Sequence, residues 1–312
     1  MRVLICGSMA FDNIMVFQGR FREHILPEQI HMLSVSFLVP QLRREFGGCA
    51  GNIAYNLKLL GGEPVIMATV GEDADPYLKR LGDLAITGER IRRVPDTLTA
   101  QAFITTDLDD NQITAFHPGA MNHAHENRID ATVGAKLAIV APDGRDGMVQ
   151  HVEQLARARV PFMFDPGQGL PMFSGPELLA MIDQASYLAV NDYEGKMVEE
   201  KTGKSLDELA RMVEGLVVTH GANGSTIFAR GERHMIGSVK PDGVVDPTGC
   251  GDAYRGGLLY GIVNGFDWPT TGRLASLMGS IKVAHRGGQN HRVNRADIER
   301  RYKAAFGASL PG

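Results

Sequence analysis

Short apolar runs, rich in β-branched residues, alternate along the chain with stretches whose apolar residues recur at helical spacing. Val3–Cys6, Val65–Val70, Leu137–Val140, Pro161–Phe164, Tyr187–Val190 and Leu216–Thr219 are almost continuously hydrophobic, the pattern of parallel strands covered on both faces. Between them Ile53, Leu57 and Leu60 repeat on one helical face and stop at Gly61-Gly62. Val149, Val152 and Leu155, and then Leu206, Leu209 and Val213, repeat in the same way. Strand alternating with helix predicts an α/β fold: a doubly wound, mainly parallel central sheet with helices on both faces.

Two stretches break this rhythm. Asn13–Phe17 and Leu33–Val39 lack a helical period, and Thr99–Thr106 and Gln112–His117 flank a turn at Asp107–Asn111. Together they predict a small β lid of residues 13–46 and 97–118 on one edge of a large domain of residues 1–12, 47–96 and 119–312. Thr226–Arg230 and His234–Val239 predict another hairpin, this one extending the main sheet.

Composition removes several classes of function. Residues numbering 312, 44% of them hydrophobic, make one large domain or two unequal ones. A net charge of −4 without a long Lys/Arg block argues against a nucleic-acid partner. No apolar run nears the roughly 18 residues that span a bilayer, and the one at the N-terminus is too short for a signal peptide. Cys6, Cys49 and Cys250 lie far apart, and the ten histidines show no ligand spacing, so neither a disulfide framework nor a zinc site is expected. The expectation is a cytoplasmic enzyme, or a binding protein of the same architecture, without a membrane partner. Cys6-Gly-Ser-Met-Ala-Phe11 is not the dinucleotide fingerprint, and Gly-x-x-x-x-Gly-Lys-Ser/Thr is missing from the chain.

The strongest chemical signal is Asp246-Pro-Thr-Gly-Cys-Gly-Asp252-Ala-Tyr-Arg-Gly-Gly257. Val244-Val245 reads as a strand end, Gly249-Cys250-Gly251 as a tight turn and Ala253–Val263 as a helix. A glycine-containing turn that opens a helix presents unpaired amides to an anion, and the helix dipole reinforces them. Asp252 stands where a carboxylate can take the proton of an attacking hydroxyl. On its own, the same turn is also an ordinary helix start with Asp252 as its cap.

At these residues the chain resembles the ribokinase-like (PfkB-type) carbohydrate and nucleoside kinase family, whose signature carries alanine at position 250 and phenylalanine at 254. The resemblance spans essentially the whole chain. It implies that Gly249, Cys250 and Gly251 form an anion hole and that Asp252 is the catalytic base. The family's N-terminal signature is matched by Gly47-Gly48-Cys49-Ala50-Gly51-Asn52. By resemblance, Gly48, Asn52 and the carboxylate of Asp12 hold sugar hydroxyls. Asn191-Asp-Tyr-Glu194 matches the Asn-x-x-Glu motif, with Asn191 and Glu194 ordering magnesium-bound water and phosphate. Thr219, Gly221 and Gly224 match the segment bordering ATP. By resemblance, Gly287-Gly288 falls near the nucleotide base or in a loop that, with Asp246 and Thr248, binds a monovalent cation such as K+.

Within the family, Phe17–Phe21, Leu26-Pro-Glu, Ser36–Val39 and Phe116–Met121 look like the bacterial, mycobacterial-type adenosine kinases and broader nucleoside kinases. That implies Phe116 stacked on a base and Gln168, in Asp165-Pro-Gly-Gln-Gly169, at the base edge. Two positions depart from the adenosine kinase pattern: Gly169 replaces a second glutamine and Ala102 a lid phenylalanine. A roomier pocket for adenosine, inosine or guanosine follows. The implied activity is transfer of the ATP γ-phosphate to a purine nucleoside 5′-hydroxyl, with Mg2+, by a protein able to form a homodimer through its lid. The alternatives are a sugar kinase of the same family, acting on ribose, fructose or a sugar phosphate, and a non-catalytic nucleoside- or nucleotide-binding protein.

Overall fold

In the first strand Val3 and Ile5 join one hydrophobic cluster and Leu4 and Cys6 another, and all four are buried. Alternate residues face opposite ways, so an unbroken apolar run means a strand covered on both sides. The computed structural model describes residues 1–25, 34–109, 111–130 and 134–311, which leaves Leu26-Pro-Glu and Leu33 outside the description. Its strands are β1 (Arg2–Cys6), β2 (Ala10–Val16), β3 (Leu42–Gly47), β4 (Glu63–Val70), β5 (Thr87–Arg93), β6 (Ala100–Thr106) and β7 (Gln112–His117). They continue as β8 (Leu137–Val140), β9 (Phe162–Phe164), β10 (Tyr187–Asn191), β11 (Gly215–Thr219), β12 (Ser225–Ala229) and β13 (Glu232–Ile236). The α-helices are α1 (Cys49–Leu59), α2 (Asp75–Asp83), α3 (Arg145–Ala158), α4 (Gly175–Gln184), α5 (Asp192–Thr202), α6 (Leu206–Ala210), α7 (Cys250–Val263), α8 (Trp268–Val283) and α9 (Arg295–Phe306).

The main sheet runs β13-β12-β11-β10-β9-β8-β1-β4-β5. All its pairings from β11 to β5 are parallel, and the β12–β13 hairpin extends it antiparallel. One face packs on α1, α2, α7 and α8 and the other on α3 to α6. The doubly wound reading therefore holds. A second sheet, ordered β3-β2-β6-β7, contains two antiparallel pairs and one parallel pair, β2–β6. Among the described residues no helix is long and apolar enough to cross a membrane.

Three local expectations are corrected. Residues 34–39 form no strand; Phe37 instead packs on Phe17 and Phe21, with ring centroids 4.8 and 5.0 Å apart. The strand paired with β2 is Leu42–Gly47, whose Arg43, Arg44 and Glu45 hide it from a hydrophobic pattern. Val244-Val245 is not a strand end either: β13 closes the sheet at this edge, and the two valines are exposed in the loop before α7. The helix around Leu206 and Leu209 is only five residues long and stops before Val213.

Tight packing sets the position of α7. A Cβ added at Gly257 would lie 2.5 Å from Ala275 Cα on α8, and one at Gly256 would lie 2.8 Å from Asn56 Cβ on α1. The Arg255-Gly-Gly segment thus brings three helix backbones close together, which determines where the start of α7 points. Gly257→Ala should cost about 1–3 kcal/mol by forcing α7 and α8 apart. The check is a urea titration, where the midpoint should fall at an unchanged slope.

Candidate active site

The parallel strands end on one side of the main sheet, and the loops leaving those ends carry most of the polar residues singled out above. After β1, Ser8 receives α1: its carbonyl accepts the Ala50 amide at 2.9 Å and its Oγ accepts the Cys49 amide at 3.1 Å. The approach requires glycine at 48, which sits at φ 84°, where a Cβ would lie 2.5 Å from Ser8 O. Next to it, a Cβ at Gly47 would lie 2.3 Å from Asp12 Oδ2, so the glycine pair also leaves space for that carboxylate.

Gly249, the residue immediately before α7, is left-handed at φ 76°. The Cys250 amide is not free, since it donates to Pro247 O at 3.1 Å. That corrects the three-amide anion hole: the turn itself uses the Cys250 N–H. The Gly249 and Gly251 amides have no acceptor among the described residues and remain for an anion. One turn on, Asp252 Oδ2 accepts a 2.8 Å hydrogen bond from Asn52 Nδ2. Asn52 Oδ1 accepts from Gln289 Nε2 at 3.2 Å, Gln289 Nε2 also donates to Tyr77 Oη at 2.6 Å, and Tyr77 Oη donates to Gly47 O at 2.7 Å. A buried polar chain therefore runs from the glycine pair to the carboxylate. Much of the hydrogen-bonding capacity of Asn52, assigned by resemblance to sugar hydroxyls, is spent on holding Asp252.

Burial pushes the Asp252 carboxyl up to about 6, and the nearby charge of Asp165 adds to the rise against the opposing Asn52 bond. Burial also raises Asp12 to about 6, with Asp252, Asp246 and Glu45 contributing like charge. Two cavities meet at Asp252. One, of about 500 Å³, is lined by Asp12, Gly48, Asn52, Ala102, Phe116 and Gln168 among others. Asp12, Ala102 and Phe116 form one cross-strand row on β2, β6 and β7, so all three share a sheet face. The other, of about 560 Å³, is lined by Asn191, Glu194, Thr219, Gly221 and Gly251. Gly249 lines the first cavity, while Asp252 and Gln168 line both.

Gly224 lies outside both cavities; it turns the chain into β12 at φ 88°, against Ile236 O. Asn191 and Glu194 cap α5 reciprocally: Asn191 Oδ1 accepts the Glu194 amide at 2.7 Å, and Glu194 Oε2 accepts the Asn191 amide at 2.7 Å. Glu194 Oε1 has no protein partner among the described residues. Burial and the charge of Asp165 hold its carboxyl above the usual range. Among the described residues no group of three or more His, Cys, Asp or Glu could hold a metal by itself. Asp246 spends Oδ1 on the Thr248 amide at 2.9 Å and Oδ2 on the Gly287 amide at 2.8 Å. Burial raises its carboxyl, but these amides outweigh that and hold it below its ordinary value.

Two groups at the site were not assigned from the sequence. Arg255 binds Asp165 through two hydrogen bonds, at 2.9 and 3.2 Å, and both line the second cavity. An arginine one turn beyond Asp252 on a helix this apolar was the available signal. Asp143, 3% exposed, lines the first cavity with Oδ2 unpartnered among the described residues, and burial pushes it up to about 7. Nothing in Pro142-Asp143-Gly144 separates that residue from a turn.

The pfkB carbohydrate kinase family profile matches residues 11–294. A nucleoside kinase of Methanocaldococcus jannaschii is 30% identical over 292 residues, covering 93% of each chain. The structure of Burkholderia thailandensis nucleoside kinase in complex with inosine is similar at a TM-score of 0.90, with 57% identity over 99% of this chain and 100% of that one. Its complex with ADP-inosine gives 0.88 and 59% identity over 99% and 98%.

Because its folded-state pKa lies above that of the unfolded chain, the ionised Asp252 lowers stability at pH 8, and the penalty fades as the pH falls through about 6. Asp252→Asn should therefore raise stability at pH 8 by about 1–2 kcal/mol, a figure reduced for the carboxylate's exposure to the cavity. Thermal unfolding of both proteins at pH 8 and pH 4.5 checks this: the gap should narrow at the lower pH, since the penalty vanishes only below the ordinary carboxylate value of 3.8.

Proposed function

The chain belongs to the PfkB family of carbohydrate kinases and is a phosphotransferase with a hydroxyl acceptor; we propose that it is an ATP-dependent nucleoside kinase acting on the 5′-hydroxyl of a purine ribonucleoside. The observation that carries this reading is the row Asp12–Ala102–Phe116 lining the same cavity as Asp252. Adjacent strands lie about 4.8 Å apart, so the carboxylate and the ring are separated by about 10 Å along the row. A ribose fits against Asp12 and Gly48, and a flat base fits against Phe116 with Gln168 nearby. Ala102 leaves the middle of the row open, which favours tolerance among adenosine, inosine and guanosine. The inosine complexes of the Burkholderia thailandensis enzyme support a nucleoside acceptor.

In this reading Asp252 takes the 5′-hydroxyl proton as the oxygen attacks the γ-phosphate, and Asn52 keeps the carboxylate aimed. The Gly249 and Gly251 amides, at the positive end of α7, stabilise charge on the transferring group. Thr219, Gly221 and Asn191 border the nucleotide. Mg2+ supplies charge neutralisation on the phosphates when bound, and the single hard carboxylate of Glu194 suits an ion that keeps most of its water. Residues 13–46 and 97–118 act as the lid, whose closure excludes water from the transfer. Leu42, Phe103 and Ile113 lie exposed on the lid's opposite face, the surface through which a second copy would pair.

Asp252→Asn should lower kcat by at least roughly 10²-fold with little change in KM; turnover at the wild-type rate removes the base assignment. In the wild type, kcat/KM should fall as the pH drops below about 6, because Asp252 must be ionised to accept the proton. That limb should be steeper than one proton, since Asp12 titrates in the same range.

Substrate choice is read from initial rates on adenosine, inosine, guanosine, cytidine, ribose and fructose 6-phosphate at equal concentration. Purine nucleosides should lead, with inosine close to adenosine. Removing the 2′- or 3′-hydroxyl should cost about 5- to 150-fold in kcat/KM, because a buried partner is left unpaired. Faster phosphorylation of ribose or fructose 6-phosphate than of every purine nucleoside would identify a sugar kinase instead.

A further inference from the structure

Leu274, Met278 and Lys282 succeed one another at four-residue intervals on α8, and all three are fully buried. Two are core residues; the third is an ammonium. A lysine at a helix end ordinarily keeps its charge in water, so complete burial needs partners of its own. Lys282 Nζ donates to Asp246 O at 2.7 Å and to His285 O at 3.0 Å. Among the described residues no carboxylate lies within 4 Å of it. Its partners are main-chain carbonyl oxygens, the ligands with which proteins commonly replace the water of an alkali cation.

Those two carbonyls belong to the segments expected to hold K+. Asp246 opens the turn that leads to Gly249 and Gly251, and His285 opens the turn that leads to Gly287-Gly288. The Asp246 carboxylate is already committed to the Thr248 and Gly287 amides. Main-chain bonds from Val245 and Asp246 to Val283 O, at 2.8 and 3.1 Å, hold the segments together. A free cation here would compete with the ammonium for the same oxygen atoms and be repelled by its charge. The residues present do not fit K+.

We propose that the Lys282 ammonium takes the place of a monovalent cation, tying the 246–249 turn to the 285–288 turn and adding fixed positive charge beside the start of α7. Lys282 is then a positioning residue: it touches neither substrate nor the reacting atoms, and acts through the turn that carries the Gly249 and Gly251 amides. A positive charge supplied by the chain itself makes the activity independent of the alkali cation in the medium. The inference rests on the phosphoryl-transfer reading for its assay and on the hydrogen bonds of Lys282 for its content.

The test compares inosine phosphorylation in KCl, NaCl and tetramethylammonium chloride at equal ionic strength and saturating Mg-ATP. The wild-type rate should agree within about twofold across the three salts, and the Tm should agree within about 1 °C, since no bound cation contributes to stability. A rate that drops roughly tenfold or more without K+, or a Tm that K+ raises by several degrees, overturns the proposal. Lys282→Ala opens the space of one ammonium. Its kcat should fall at least roughly tenfold with little change in KM, and added K+ or NH4+ should restore kcat with saturation and raise its Tm. Lys282→Met fills the same space without charge and should be equally slow but unresponsive to salt. A Lys282→Ala variant with wild-type kcat in every salt also overturns the proposal. Should that variant fail to fold, the wild-type salt series decides alone. Absence of phosphorylation of any acceptor in any salt counts against the kinase reading, whereas K+-dependent inosine phosphorylation counts against this inference only.

Discussion

The 2.8 Å hydrogen bond between Asn52 and Asp252 joins the two helices on which the site depends. Asn52 lies in the first turn of α1 and Asp252 in the first turn of α7, 200 residues further along the chain. Each helix start is held by other means as well: α1 by Ser8 and the glycine pair, α7 by close packing on α1 and α8. The bond aligns a carboxylate with two free amides at the positive end of a helix. The buried chain through Gln289 and Tyr77 then makes the orientation of Asn52 a property of the surrounding core.

The site is crowded with negative charge. The charge of Asp252 raises the affinity of Asp12 for protons and that of Asp165 raises the affinity of Asp252, while Glu194, Asp246 and Glu45 stand around them. Two buried cations offset this within the chain. Arg255 is engaged by Asp165, and Lys282 is held by carbonyl dipoles at the base of the α7 turn. The two differ in their direct partners: the arginine is bound by a carboxylate, whereas the lysine is bound by carbonyl dipoles, with the charges of Asp246 and Asp252 acting on it from further away. The remaining negative potential is of the kind that a cationic group arriving with the nucleotide would relieve.

The small sheet contributes through register. Pairing of Asp12 with Ala102, and of Ala102 with Phe116, puts the three on one face; a slip of one residue would present Asn13 and Phe103 instead. The opposite face carries Leu42, Phe103 and Ile113 in the open, so the two faces of this four-stranded sheet meet different surroundings.

The parallel sheet, the helices between its strands and the turn before Asp252 were legible because they rest on local pattern. Continuous apolar runs, helical spacing and a glycine-bearing turn each report on neighbouring residues. Strand β3 was hidden because main-chain pairing with β2, and not hydrophobicity, makes Leu42-Arg-Arg-Glu-Phe-Gly47 a strand. The loss of the Cys250 amide to Pro247, the engagement of Asn52 by Gln289, the displacement of Gly224 from the site and the burial of Lys282 were hidden for a related reason. Each depends on which donors and acceptors distant segments bring together. The sequence by itself determined the fold class, the family resemblance and the chemical types present at the site, since these follow from residue identity and short-range spacing. Only the tertiary structure decided which amides stay free, which carboxylates are raised and which cation is held inside, because hydrogen bonding and desolvation belong to the assembled site.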